Sequence, residues 1–187
     1  MCNRCDWSKN SELEKQYHDT EWGKINKNEQ YLFEMLCLEG MQAGLSWSLI
    51  LKKREAYRNA FMNFDYHTVA KMKDETLEEL LISEKSQHDI IKNRNKIFAI
   101  RNNAQMFLKV QEEFGNFATY IWAFTHGEQI INEWKTQDEL PAATPLSTEI
   151  SKDLKKRGFK FVGPVIVYSY LQSIGMINDH LLACDFR

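Results

Sequence analysis

Four potential metal ligands stand at opposite ends of this chain of 187 residues. Cys5 and His18 lie near the N-terminus, and His180 and Cys184 form a His-x3-Cys pair near the C-terminus. Four residues apart on a helical turn, His180 and Cys184 can face one ion. Two Cys and two His make a closed tetrahedral zinc set, structural rather than catalytic. A shared ion would force together two ends that otherwise tend to fray. Cys2-x2-Cys5 also has metal-ligand spacing, so Cys2 competes with a histidine for the ion or forms a redox pair with Cys5. Without a metal the same residues read as buried thiols and surface histidines.

Between these ends the pattern is helical, and strand signals are weak. Asp65 and Asp74 read as N-caps of short helices at about 66–72 and 75–83. Ile90 to Phe114 is one long amphipathic stretch, with Gly115 as its stop. Asn116 caps a short helix to about Phe124. Gly127 to Leu146 is the least regular segment and holds Pro141 and Pro145. Ser147 opens a helix ending at Arg157-Gly158, and Gly163-Pro164 opens another that runs to Ile174. The expected fold class is all-α, one domain over residues 1–187, with many short helices packed at mixed angles.

The stretch Leu36 to Trp47 holds the most unusual placement of a charge. Glu29 to Leu38 has helical spacing, with Leu32, Met35 and Leu36 on one apolar face. Glu39 continues that face. A carboxylate among apolar side chains is costly unless something pairs with it. Gly40 and Gly44 are expected to bracket a turn before Trp47, so that acid and indole line one pocket wall. The plainer reading is a helix C-terminus with Glu39 exposed or salt-bridged.

Two further clusters carry chemistry. Lys152 to Gly163 reads as helix, glycine-bounded hairpin and helix, with Lys155, Lys156, Arg157 and Lys160 clustered there. Backbone N–H groups before the helix that Pro164 opens would seat a phosphate, holding a DNA backbone without reading sequence. The alternative is an ordinary αα-hairpin with solvated lysines. In Tyr17-His18-Asp19-Thr20-Glu21-Trp22-Gly23, Tyr17 and Trp22 flank a candidate ligand. With Trp7 and Trp47 they could stack on a planar cation, or simply pack the core.

Net charge is −2, so any nucleic-acid contact must come from a local patch. A hydrophobic share of 43% argues against disorder. The sequence shows neither a signal-peptide pattern nor a membrane-spanning apolar run, which points to the cytoplasm and to a metal site rather than disulfides.

The chain closely resembles the bacterial 3-methyladenine DNA glycosylase I family. The matching stretches are Cys5-Asp6-Trp7, Tyr17 to Gly23, Leu38 to Trp47, Leu51-Lys52-Lys53-Arg54-Glu55, Lys155 to Gly163 and Asn178-Asp179-His180. The resemblance implies a helix-hairpin-helix glycosylase fold, with the hairpin unit at about 147–174, and a zinc joining the termini. It implies excision of 3-methyladenine from alkylated duplex DNA by a monomer. By that match Cys5, His18, His180 and Cys184 hold the zinc and Cys2 is a bystander, while Glu39, Tyr17 and Trp47 form the base pocket, flanked by Trp7 and Trp22. Gln42, Gly44 and Leu45 are expected to meet the duplex, with Leu45 the first choice to fill the gap left by the base. Phe161 stands where the wider superfamily usually has a glycine, a change this family tolerates. Ser86 to Ile91 lacks the glycine common before the Ile-Ile pair.

The chemistry is consistent with these residues. A methylated adenine is cationic, so its glycosidic bond is already weakened and needs little general-acid help. The pocket must take the base out of the stack and hold it. Asp179 is expected to orient His180, and no general base is assigned. The competing classes are a non-enzymatic binder of alkylated bases and a zinc hydrolase, though four protein ligands would leave the latter no open position.

Overall fold

The computed structural model describes residues 2–82 and 88–187. Its helices are α1 (Glu12–Thr20), α2 (Glu29–Gln42), α3 (Trp47–Ala60), α4 (Tyr66–Val69), α5 (Asp74–Leu81), α6 (Arg94–Phe114), α7 (Phe117–Ala123), α8 (Pro145–Lys156) and α9 (Pro164–Ser173). The all-α expectation holds apart from a two-residue parallel ladder, in which β1 (Ile130–Ile131) pairs with β2 (Ile177–Asn178). No helix among the described residues is long and apolar enough to cross a membrane.

Helix α2 is the hub. Every residue from Leu32 to Met41 is buried, and α2 packs against α3, α6, α7 and α9. It runs past the expected end at Leu38, so Gly40 is helical and does not open a turn. The missing side chain matters instead: a Cβ there would sit 3.3 Å from the Cβ of Phe161. The turn begins at Ala43, where Gly44 takes a φ of 75° that disfavours any residue with a Cβ. Ser46 then caps α3, accepting from the Leu49 N–H at 3.3 Å.

Caps shift other boundaries. Asn93 accepts from the Lys96 N–H at 3.2 Å, so α6 starts at Arg94 and Ile90 precedes it as buried, non-helical chain. Asp65 caps α4 as expected, but that helix stops at Val69. Asp74 is the first helical residue of α5 and Lys73 occupies its cap, with no side-chain bond; position 83 of the expected helix lies outside the described residues, as do Ser86 and Gln87. Helix α8 starts at Pro145 rather than Ser147. Thr144 accepts from the Ser147 N–H at 3.0 Å while Ser147 Oγ accepts from the Thr144 N–H at 2.9 Å, a reciprocal cap with Pro fitting the first turn.

The hairpin between α8 and α9 is held from α6. Asn103 pairs with both backbone groups of Lys160, at 2.8 and 3.0 Å, and Asn102 donates to the Gly158 carbonyl at 2.9 Å. Phe161 has a φ of 56°, the left-handed region where glycine is at ease. It lies against Gly40 of α2, which has no side chain to displace it.

Candidate functional site

The two chain ends meet. Asn3 and Asp185 exchange two hydrogen bonds, from the Asn3 N–H to Asp185 Oδ2 at 2.8 Å and from the Asp185 N–H to the Asn3 carbonyl at 3.0 Å. Beneath them Cys5, His18, His180 and Cys184 are buried with their ligand atoms within 4.8 Å of one another. Cys184 Sγ lies 3.5 Å from His18 Nε2 and 3.4 Å from His180 Nδ1, and Cys5 Sγ lies 3.9 Å from the same Nδ1. Spacings of this size suit four atoms around one tetrahedral ion. Burial lowers the pKa of both imidazoles, His180 to about 4, which favours the neutral form that binds metals. The same burial pushes the Cys5 thiol up to about 12, a burden that a cation beside it would remove. These residues could hold a metal ion. Cys2 is exposed and outside the group, which closes the alternative set.

The carboxylate that orients a ligand is not the expected one. Asp19 Oδ1 lies 2.8 Å from His18 Nδ1, and Arg4 clamps Asp19 in turn. Asp179 does not bond the His180 ring; its two oxygens accept from Asn132, Trp134, Tyr168 and Gln172, all at 2.7 Å or less. His180 Nε2 instead lies 2.9 Å from the Trp22 carbonyl. The expected role of Asp179 is therefore corrected: it fastens α9 to the β1–β2 region.

An aromatic wall runs from this cluster to a cavity of about 370 Å³. Trp22 lies 5.9 Å from His18, nearly parallel to it, and 4.7 Å from His180. Trp7 follows at 5.1 Å from Trp22, and Tyr17 at 6.2 Å from Trp7. Trp47 closes the row, 5.1 Å from Tyr17. Trp7, Tyr17, Trp22, Glu39, Gln42 and Trp47 all line the cavity. Arg54 fixes the helices that carry them, binding Glu21 through two bonds of 2.8 and 2.9 Å and Glu34 at 2.7 Å.

Glu39 is only 3% exposed, and its Oε2 has no hydrogen-bond partner. Desolvation alone pushes its pKa up to about 8. Trp47 Nε1 and Gln137 Oε1 are likewise buried and unpartnered in this cavity. Buried polar atoms are normally satisfied, so three unpaired ones around one cavity describe a place for a polar ligand. Gln137 and Leu140 form a wall that sequence reasoning missed. They come from the irregular segment before α8, where no periodicity marks a role.

Leu45 is 40% exposed at the turn after α2, between the cavity residues Gln42 and Trp47 in sequence. On the hairpin side Lys155, Lys156 and Lys160 are exposed. Arg157 is not free for a ligand as expected: it binds Glu113 at 2.6 Å and Asp153 at 2.7 Å and lies over Phe114 and Tyr120. Gly163 caps α9 with an extended backbone.

A basic hairpin between α8 and α9 and an aromatic cavity holding a buried acid fit an all-α DNA glycosylase. The sequence model for methyladenine glycosylases matches residues 7–187, and the chain belongs to that family. It is 44% identical over 181 residues to DNA-3-methyladenine glycosylase 1 of Escherichia coli K12, covering 97% of this chain and 95% of that one. It superposes on the crystal structure of a 3-methyladenine DNA glycosylase I with a TM-score of 0.91, at 46% identity and 98% coverage of both chains. A variant of 3-methyladenine DNA glycosylase I in complex with 3-methyladenine is similar at a TM-score of 0.92 and 35% identity, covering 98% of this chain and 97% of that one.

Proposed function

We propose that this chain is a monofunctional glycosylase that hydrolyses the N-glycosidic bond of 3-methyladenine in alkylated double-stranded DNA. The observation that carries the reading is the unpartnered carboxylate oxygen of Glu39, buried in an aromatic cavity. A flipped cationic base offsets the cost of that burial. Its amino group donates to Glu39, and its positive charge favours the carboxylate over the neutral acid. Tyr17 and Trp47 offer ring faces to the same cation, with Trp7 and Trp22 behind them; such a contact is worth roughly 0.5–2 kcal/mol. Once the base is held, the bond from sugar to the positively charged ring breaks with the electron pair leaving on the base. Water adds to the sugar cation and releases a proton. The neutral base is the product.

On this reading the metal is one zinc, held by Cys5, His18, His180 and Cys184. Bound there, it would cross-link the two ends and fix His18. Gln42, Gly44 and Leu45 meet the opened duplex, and Lys155, Lys156, Lys160 and the N–H groups after Gly163 hold the phosphate backbone. The chain acts as one domain over residues 1–187, as a monomer, in the cytoplasm. The test is release of free bases from methylated duplex DNA, resolved by base identity. Release of 3-methyladenine supports the reading; binding of methylated DNA without any base release overturns it.

A further inference from the structure

Lys96 is a cation only 7% exposed on α6. Its ammonium donates to the Met41 carbonyl at 2.8 Å and the Ala43 carbonyl at 2.6 Å. These groups belong to the C-terminal end of α2, where unsatisfied carbonyls and the negative end of the helix dipole both favour a cation. The turn thus held carries Gly44 and the exposed Leu45, and it starts directly after Gln42 of the cavity wall. Two helical turns further along α6, on the same face, Asn103 holds both backbone groups of Lys160 in the hairpin. One helix, α6, therefore holds both the turn after α2 and the hairpin between α8 and α9.

We propose that Lys96 is a positioning residue for action on duplex DNA: through the Met41 and Ala43 carbonyls it sets the turn that presents Leu45, at a spacing from the hairpin fixed by Asn103. This rests on the reading that the turn enters the duplex. Lys96 does not line the cavity, so its loss acts through the placement of Leu45 and not on base recognition.

The test compares Lys96→Met, Lys96→Arg and Leu45→Gly with the parent protein. Three quantities are measured: binding of free 3-methyladenine, single-turnover excision from methylated duplex and from methylated single strands, and fluorescence of a 2-aminopurine beside an abasic analogue in duplex. Lys96→Met should bind the free base as the parent does. Its duplex excision should fall roughly tenfold to a hundredfold, the range expected for lost bonds to a charged group, with single-strand excision far less affected and a smaller fluorescence rise. Lys96→Arg, which keeps the cation, should recover most of the duplex activity. If Leu45→Gly impairs duplex excision and Lys96→Met does not, Lys96 is only a helix cap and the proposal fails. If neither variant changes duplex excision, the underlying reading of the turn fails as well. Should Lys96→Met not fold, Lys96→Gln, which keeps a shorter donor, carries the same comparisons.

Discussion

Tyr17 and His18 are consecutive on α1, yet their side chains end in two different centres. His18 Nε2 lies 3.5 Å from Cys184 Sγ in the Cys and His group, while the Tyr17 ring lies 5.1 Å from Trp47 in the cavity. A constraint on one is thereby a constraint on the other. On the proposed function, metal binding and base binding should therefore be coupled through these two adjacent residues of α1.

Removal of the metal should therefore act twice. A chelator should lower the melting temperature, since binding energy of the ion is folding energy. It should also weaken binding of free 3-methyladenine as Tyr17 loses its anchor. Metal analysis of protein purified without chelator should find one zinc per chain. Cys2→Ser should leave that content unchanged; a halved content would return Cys2 to the ligand set.

Glu39→Gln keeps the shape and removes the charge. It should weaken binding of the free base and lower excision, with fold and metal content intact. On the proposed function the carboxylate should also set selectivity. Methylguanine carries a carbonyl where adenine carries its amino donor, so it would meet Glu39 lone pair to lone pair. The parent should release 3-methyladenine well ahead of 7-methylguanine. If Glu39→Gln binds and excises as the parent does, the carboxylate is structural.

The same residue makes stability depend on pH. Folding raises the Glu39 pKa from its ordinary 4.5 to about 8. Between those values the folded protein keeps a proton that the unfolded chain has released. Its contribution is fully present below the unfolded value and is lost as pH rises through the folded one. A shift of this size corresponds to a few kcal/mol, on the order of 1.4 kcal/mol per pH unit. In denaturant titrations without ligand, Glu39→Gln should flatten the decline from mildly acidic to mildly alkaline pH. Parallel curves for parent and variant would contradict the burial cost.

The hairpin cations should separate by role. Replacing Lys155, Lys156 and Lys160 with alanine should weaken DNA binding equally for every sequence and reduce the salt slope by about 0.9 for each phosphate no longer neutralised. Arg157→Ala should instead lower stability, because it breaks the ion pairs to Glu113 and Asp153, and should leave the slope nearly unchanged. An unaltered slope in the triple lysine variant would remove the hairpin from the DNA face.

Leu45→Gly should impair excision from duplex far more than binding of the free base, because only a stacked duplex needs its gap filled. Equal losses in both measurements would mean that the turn only packs.

Much of this protein follows from local rules that a sequence displays. Apolar spacing along α2 put Glu39 on the buried face, and Asn116, Asp65 and Gly115 marked helix ends through groups within four residues of themselves. Paired Cys and His at the two ends marked the buried group that could hold a metal before any fold was known. What tertiary structure decided were choices between equivalent partners. Asp19 rather than Asp179 serves a histidine, Arg157 turns to Glu113, Cys2 stays outside, and Gly40 lies within α2, where its missing side chain leaves room for Phe161. Gln137 joins the cavity from a segment without periodicity. The physical reason is range: caps and hydrophobic periodicity are settled within a few residues, whereas the partner of a charge and the wall of a cavity depend on which distant segments share the same buried space.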